Sequence, residues 1–119
     1  MSFKHKKKFG QNFLTDQREV LRKIMEVSNV QAEDTVLEIG PGEGALTALL
    51  LDTAKKVVTV EIDRDLEKIL RKKFDGNPKY TLVMNDVLET DLRAYVGAGT
   101  KVVANIPYYI TSVSYTHLT

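Results

Sequence analysis

At 119 residues, 43% apolar and 28% charged, the chain has the size of one domain or part of one and is too apolar for a disordered tail. A formal net charge of +1 excludes a polybasic nucleic-acid binder as a whole, although Lys4, Lys6, Lys7 and Lys8 concentrate charge at the start. The absence of cysteine excludes disulfides and thiolate metal sites, and no stretch approaches the roughly 20 apolar residues that span a bilayer, so the chain reads as soluble, unsecreted and cytoplasmic. The basic start lacks the arginine and serine richness of a mitochondrial address.

In chain order, Gly10-Gln11-Asn12-Phe13-Leu14 precedes a predicted helix that Thr15 or Asp16 caps, with Val20, Leu21, Ile24, Met25 and Val27 on one face. Thr35 to Ile39 is short, β-branched and apolar, the pattern of a buried strand, and a glycine-rich turn leads from it to a helix starting near Ala45. Val57 to Ile62 reads as a second strand, and Asp65 to Phe74 as a helix with Leu66, Ile69 and Leu70 inward, ended by Gly76-Asn77-Pro78. Tyr80 to Met84 and Lys101 to Asn105 are the third and fourth strands, with a short helical turn over Leu92 to Tyr95 between them. Strands alternating with helices imply βαβ units and a parallel sheet, an α/β Rossmann-like fold. Ligands of such sheets lie beyond the carboxyl ends of the strands, which places Gly40 to Gly44, Glu61, Asp86 and Asn105 on one edge.

Gly40, Gly42 and Gly44 occupy alternate positions directly after a strand, where the lack of Cβ lets the backbone turn tightly and approach a ligand. Their spacing is neither the dinucleotide pattern G-x-G-x-x-G nor a P-loop, since no Lys-Ser/Thr pair follows. Glu61, at the end of the second strand, suits a carboxylate accepting the ribose hydroxyl protons of a nucleoside, a role common to nicotinamide cofactors and S-adenosylmethionine. Asp86 can accept from an adenine amino group while Ile62 and Val87 cover the ring faces; the alternative is a turn aspartate capping the next segment.

Asn105-Ile106-Pro107-Tyr108-Tyr109 suits methylation of a planar amino group. The amide oxygen of Asn105 and the carbonyl of Pro107 accept the amine protons and direct its lone pair, Pro107 stiffens the loop, and Tyr108 stacks on an unpaired or flipped base. The alternative is a proline turn with two aromatic core residues. This chemistry requires no metal and no covalent nucleophile, and His5 and His117 are read as solvated.

Phe9 to Leu14, Val36 to Gly44, Val60-Glu61-Ile62-Asp63, Asn85-Asp86 and Asn105 to Ser112 together resemble the successive motifs of the ribosomal RNA adenine dimethyltransferase family. The resemblance implies a seven-stranded methyltransferase fold, S-adenosylmethionine as donor, and transfer of two methyl groups to N6 of adenines in small-subunit ribosomal RNA during ribosome maturation. It implies that Asn12, Leu14, Gly40, Glu61, Asp86 and Asn105 line the cofactor site, to which the residue pattern above adds Gly42, Ile62 and Val87, and that Asn105, Pro107 and Tyr108 hold the target base. The implied partner is small-subunit RNA or a pre-30S-type particle, with neither membrane nor obligate protein partner, and the basic start suits RNA phosphates. Tyr109-Ile110-Thr111 looks more like the small-subunit branch than the large-subunit macrolide-resistance methylases, and nothing resembles the extra sequence of the related mitochondrial transcription factor. A catalytically inactive nucleoside- or RNA-binding fragment is the alternative of another class.

Three segments follow: a basic start with a cofactor-contacting motif over 1–15, the front of the catalytic domain over 16–112, and a tail over 113–119 that departs from the family's pattern and reads as adapter sequence joined to a broken gene. Truncation after about the fourth strand leaves that strand's flank open, an edge prone to pairing with other chains, from which poor solubility is expected.

Overall fold

The computed structural model describes residues 18–106 and 109–114, with side chains described through Ala104. Helix α1 covers residues 18–28. It is followed by β1 (Thr35–Ile39), α2 (Ala45–Thr53), β2 (Lys56–Glu61), α3 (Arg64–Phe74), β3 (Tyr80–Met84), two 3₁₀ turns (Val87–Glu89 and Leu92–Ala94), β4 (Lys101–Ile106) and β5 (Tyr109–Ser114). The strands form one sheet in the order β3-β2-β1-β4-β5, with β1 to β4 parallel and β5 antiparallel to β4. The α/β parallel architecture expected from the alternation of elements is present.

The chain steps outward from β1 to β2 to β3, then returns to place β4 on the other side of β1. Reversing direction in a sheet of right-handed crossovers moves the connection to the opposite face. The two cores follow this rule. Leu46, Leu50 and Leu51 of α2, Leu21 and Ile24 of α1 and Phe74 of α3 cover one face with Val36, Val57 and Val103. Val87, Leu92 and Val96 from the β3-to-β4 connection cover the other with Leu37, Val58, Val60 and Val83. Leu37, Leu46, Leu50 and Leu70 are completely buried, and each such side chain stabilises the fold by about 1.5–3 kcal/mol.

Three local expectations are corrected. Val20 and Val27 do not share the buried stripe of α1, being 38% and 76% exposed, because the seam that meets the sheet is carried by Leu21 and Ile24, three residues apart, with Met25 packed beside them. The second strand ends at Glu61 rather than Ile62, whose amide turns back onto the Glu61 carboxylate. The flank of β4 is not open: β5 pairs along it from Lys101↔Ser114 to Ile106↔Tyr109, so the outer strands of the sheet are β3 and β5.

Candidate active site

The register of the sheet brings the strand ends into one row. Ile39 pairs with Val60 on one side and Ala104 on the other, and Glu61 pairs with Met84. Gly40, Glu61, Asn85-Asp86 and the backbone of Asn105 therefore lie at the same edge, as the sequence implied. The reversal of strand order between β1 and β4 falls here, the place where open α/β sheets bind ligands. The turn is stitched to its neighbours: Gly40 N–H donates to the Val60 carbonyl at 3.5 Å, and Asn85 N–H to that of Glu61 at 2.9 Å.

Each glycine has positive φ, 71° at Gly40, 58° at Gly42 and 98° at Gly44, a region that L side chains enter only with strain. Their surroundings differ. A Cβ on Gly42 would meet nothing within 4 Å, so the backbone there presents an open surface. One on Gly44 would come within 2.7 Å of Phe74 Cε2 and 3.2 Å of Leu70 Cδ2, so this glycine permits the close packing of the turn on α3.

Glu61 is 9% exposed, and its Oε2 accepts from the amides of Ile62 at 2.9 Å and Asp63 at 2.8 Å. Two backbone donors fix the carboxylate, and Oε1 has no hydrogen bond among the described residues. Ile62 is 65% exposed, and Val87 is half-buried in the second core. Asp86 takes the turn role weighed from the sequence: its Oδ1 accepts from Leu88 N–H at 2.9 Å and caps the first 3₁₀ turn. Oδ2 carries no hydrogen bond among the described residues. Of the remaining sequence candidates, Asn12, Leu14, Pro107 and Tyr108 lie outside the described residues, and Asn105 is placed by its backbone alone.

Sequence reasoning missed the buried polar group beneath the turn. Glu38, in β1, has no exposed surface; its Oε1 accepts from Thr47 Oγ1 of α2 at 2.5 Å and Thr59 Oγ1 of β2 at 3.0 Å, and Oε2 is buried without a partner among the described residues. Burial pushes its carboxyl up to about 7, the two hydroxyls opposing and the charge of Glu61 adding to the rise. The signal was a single acid inside an apolar strand that is covered on both faces. Among the described residues, no group of three His, Asp or Glu is placed to hold a metal ion, and no helix is long and apolar enough to cross a membrane.

Residues 2–119 match the model of the ribosomal RNA adenine dimethylase family. The chain is 66% identical over 112 residues to a ribosomal RNA small subunit methyltransferase A of Fusobacterium nucleatum, covering 94% of this chain and 42% of that protein. It is 42% identical to one of Clostridium acetobutylicum, covering 93% and 41%. Among solved structures, the 23S rRNA methyltransferase ErmE superposes with a TM-score of 0.66 at 37% identity, covering 76% of this chain and 36% of that one. A dimethyladenosine transferase from Plasmodium falciparum gives 0.63 at 34%, covering 76% and 32%. The chain thus spans about two-fifths of the length of the curated relatives it matches. With its strand-end row of glycines and acids and a family match running through residues 2–119, the chain belongs to the ribosomal RNA adenine dimethylase family.

Proposed function

We propose that this chain is the cofactor-binding front part of an S-adenosylmethionine-dependent enzyme that dimethylates N6 of adenines in small-subunit ribosomal RNA. The observation that carries the reading is the strand-end row itself, a glycine turn and two acids at a topological switch point, in a chain 66% identical to a protein named ribosomal RNA small subunit methyltransferase A. The residues present fit a nucleoside cofactor. Glu61 holds one carboxylate oxygen on backbone amides and keeps the other for ribose hydroxyls, and Gly42 offers backbone with no side chain in the way. Asp86 keeps Oδ2 for an adenine amino group, with Ile62 and Val87 beside it; Gly40 and Asn105, and Asn12 and Leu14 from the amino-terminal segment, complete the proposed site.

When bound, S-adenosylmethionine supplies an electrophilic methyl group on a sulfonium. The chain's own part is to bind and align. An exocyclic amine conjugated to its ring is a weak nucleophile, so the proposed acceptors, the Asn105 amide oxygen and the Pro107 carbonyl, draw on its protons and aim the lone pair. Tyr108 is proposed to stack on the extruded base. The proposed substrate is unmethylated small-subunit RNA, alone or in a precursor particle.

The test is methyl transfer by the complete protein carrying this chain. Incubation with unmethylated small subunits and labelled donor is expected to yield N6,N6-dimethyladenosine, and Asn105→Ala to abolish it. Product on large-subunit RNA alone would assign the other branch, to which ErmE belongs by its name. No product on either RNA, with cofactor bound, would leave a nucleoside-binding protein without this activity.

A further inference from the structure

The glycine turn is held from outside as well as from the sheet. Lys73 Nζ, in the last turn of α3, donates to the backbone carbonyl of Glu43 at 2.6 Å, across 30 positions of sequence. The amide of the same peptide, Gly44 N–H, donates to the Pro41 carbonyl at 3.1 Å. Both ends of the 43–44 peptide plane are thereby fixed. Leu70 and Phe74, with Lys73 at helical spacing on one face of α3, close on Gly44 at 3.2 and 2.7 Å from the position its Cβ would take. Among the described residues no carboxylate forms an ion pair with Lys73, so the carbonyl is the acceptor its ammonium reaches.

Without a Cβ at Gly40, Gly42 and Gly44 the turn has many conformations in isolation, of which the fold holds one with positive φ at all three. A ligand meeting a loose turn must order it, and that ordering is subtracted from affinity. We propose that Lys73 is a positioning residue: its charge-assisted bond to Glu43 holds the glycine turn in its binding shape before the cofactor arrives. The proposal rests on the cofactor reading above. Lys73 does not touch the ligand; it acts through the peptide of residues 43 and 44.

Calorimetric binding of S-adenosylmethionine and S-adenosylhomocysteine to the chain, to Lys73→Met, to Lys73→Arg and to Lys72→Met tests this. Lys73→Met is expected to weaken both ligands by about three- to tenfold, as loss of a charge-assisted bond that preorganises a loop implies. Lys73→Arg is expected to restore affinity to within about twofold, since the guanidinium keeps the charge and the donor. Lys72→Met, which removes the same charge without the contact, is expected to bind as the parent does. The thermal midpoint of ligand-free Lys73→Met is expected to fall by only a few degrees, the cost of one exposed contact, and those of Lys73→Arg and Lys72→Met to stay with the parent. Unchanged affinity in Lys73→Met, failure of arginine to restore it, an equal loss in Lys72→Met, or a loss that merely tracks a larger fall in midpoint overturns the role of Lys73. No binding by the parent removes the cofactor reading itself, and the proposal with it.

Discussion

Replacing Glu38 with glutamine removes one titration from the middle of the sheet and imitates the protonated carboxyl in shape. Glu38 is fully buried, with Oε1 shared by Thr47 and Thr59 and Oε2 without a partner among the described residues. Its carboxyl is pushed from 4.5 up to about 7, first by burial. Because the folded value lies above the unfolded one, the folded chain binds more protons between them; the stability from this group is complete below the unfolded value and is lost as pH rises through about 7. At about 1.4 kcal/mol per pH unit of displacement, the loss is on the order of 3 kcal/mol, a sizeable part of a small domain's total of about 5–15 kcal/mol. Urea unfolding followed by circular dichroism in small pH steps through this range compares the two proteins. The parent is expected to lose stability with rising pH and Glu38→Gln to lack that loss, overtaking the parent at the alkaline end. Histidines and surface carboxylates are common to both and cancel. Parallel curves would mean instead that Glu38 ionises in the fold as easily as in the unfolded chain. Asp34 acts elsewhere and with opposite sign: the Lys101 ammonium and the Gln31 amide hold its carboxyl below the usual range, so its contribution is present above the ordinary value and fades only as pH falls through the lowered one.

Gly44→Ala combines a φ of 98° with a methyl group 2.7 Å from Phe74, and is expected to cost about 2–4 kcal/mol in the same unfolding assay. Gly42→Ala has the φ strain without the clash, and about 1–2 kcal/mol is expected; equal costs would show that packing on α3 does not matter. Among the described residues the buried Tyr80 hydroxyl has the Thr59 hydroxyl beside it but no well-formed hydrogen bond, while its ring packs on Phe74 at 5.2 Å, so Tyr80→Phe is expected to change stability by no more than about 1 kcal/mol. Glu61→Ala is expected to weaken S-adenosylmethionine binding by about 1–3 kcal/mol, because ribose hydroxyls would lose a charged acceptor; titration calorimetry reads this directly, and unchanged affinity removes Glu61 from the site.

Much of the fold was legible because strands covered on both faces are written as continuous apolar runs, as in Val36-Leu37 and Val57-Val58, and because positive-φ turns demand glycine. The alignment of strand ends followed from parallel topology without any side-chain detail. What was not legible depends on long-range partners. Glu38 looked like part of a motif until Thr47 and Thr59, 9 and 21 positions away, were seen to meet it. Val20 and Val27 fitted an apolar helix face by spacing, but Leu21 and Ile24 are the side chains that meet the core, which leaves the two valines outside. The antiparallel β5 was hidden because its residues also carry the Tyr109 to Ser112 motif, and a motif says nothing of pairing. Gly44 was read with its neighbours as room for a ligand, and only the approach of Phe74 separates it as packing.

Binding of a methyl-donor nucleoside at the strand-end row can be read residue by residue from an amide proton-nitrogen NMR spectrum of this chain with and without S-adenosylmethionine. Dispersed peaks are expected, with ligand-dependent shifts gathered at Gly40, Gly42, Gly44, Ile62, Asp63 and Asp86, and their loss in Glu61→Ala. Dispersed peaks that ignore the ligand, or shifts gathered away from this edge of the sheet, would contradict binding there.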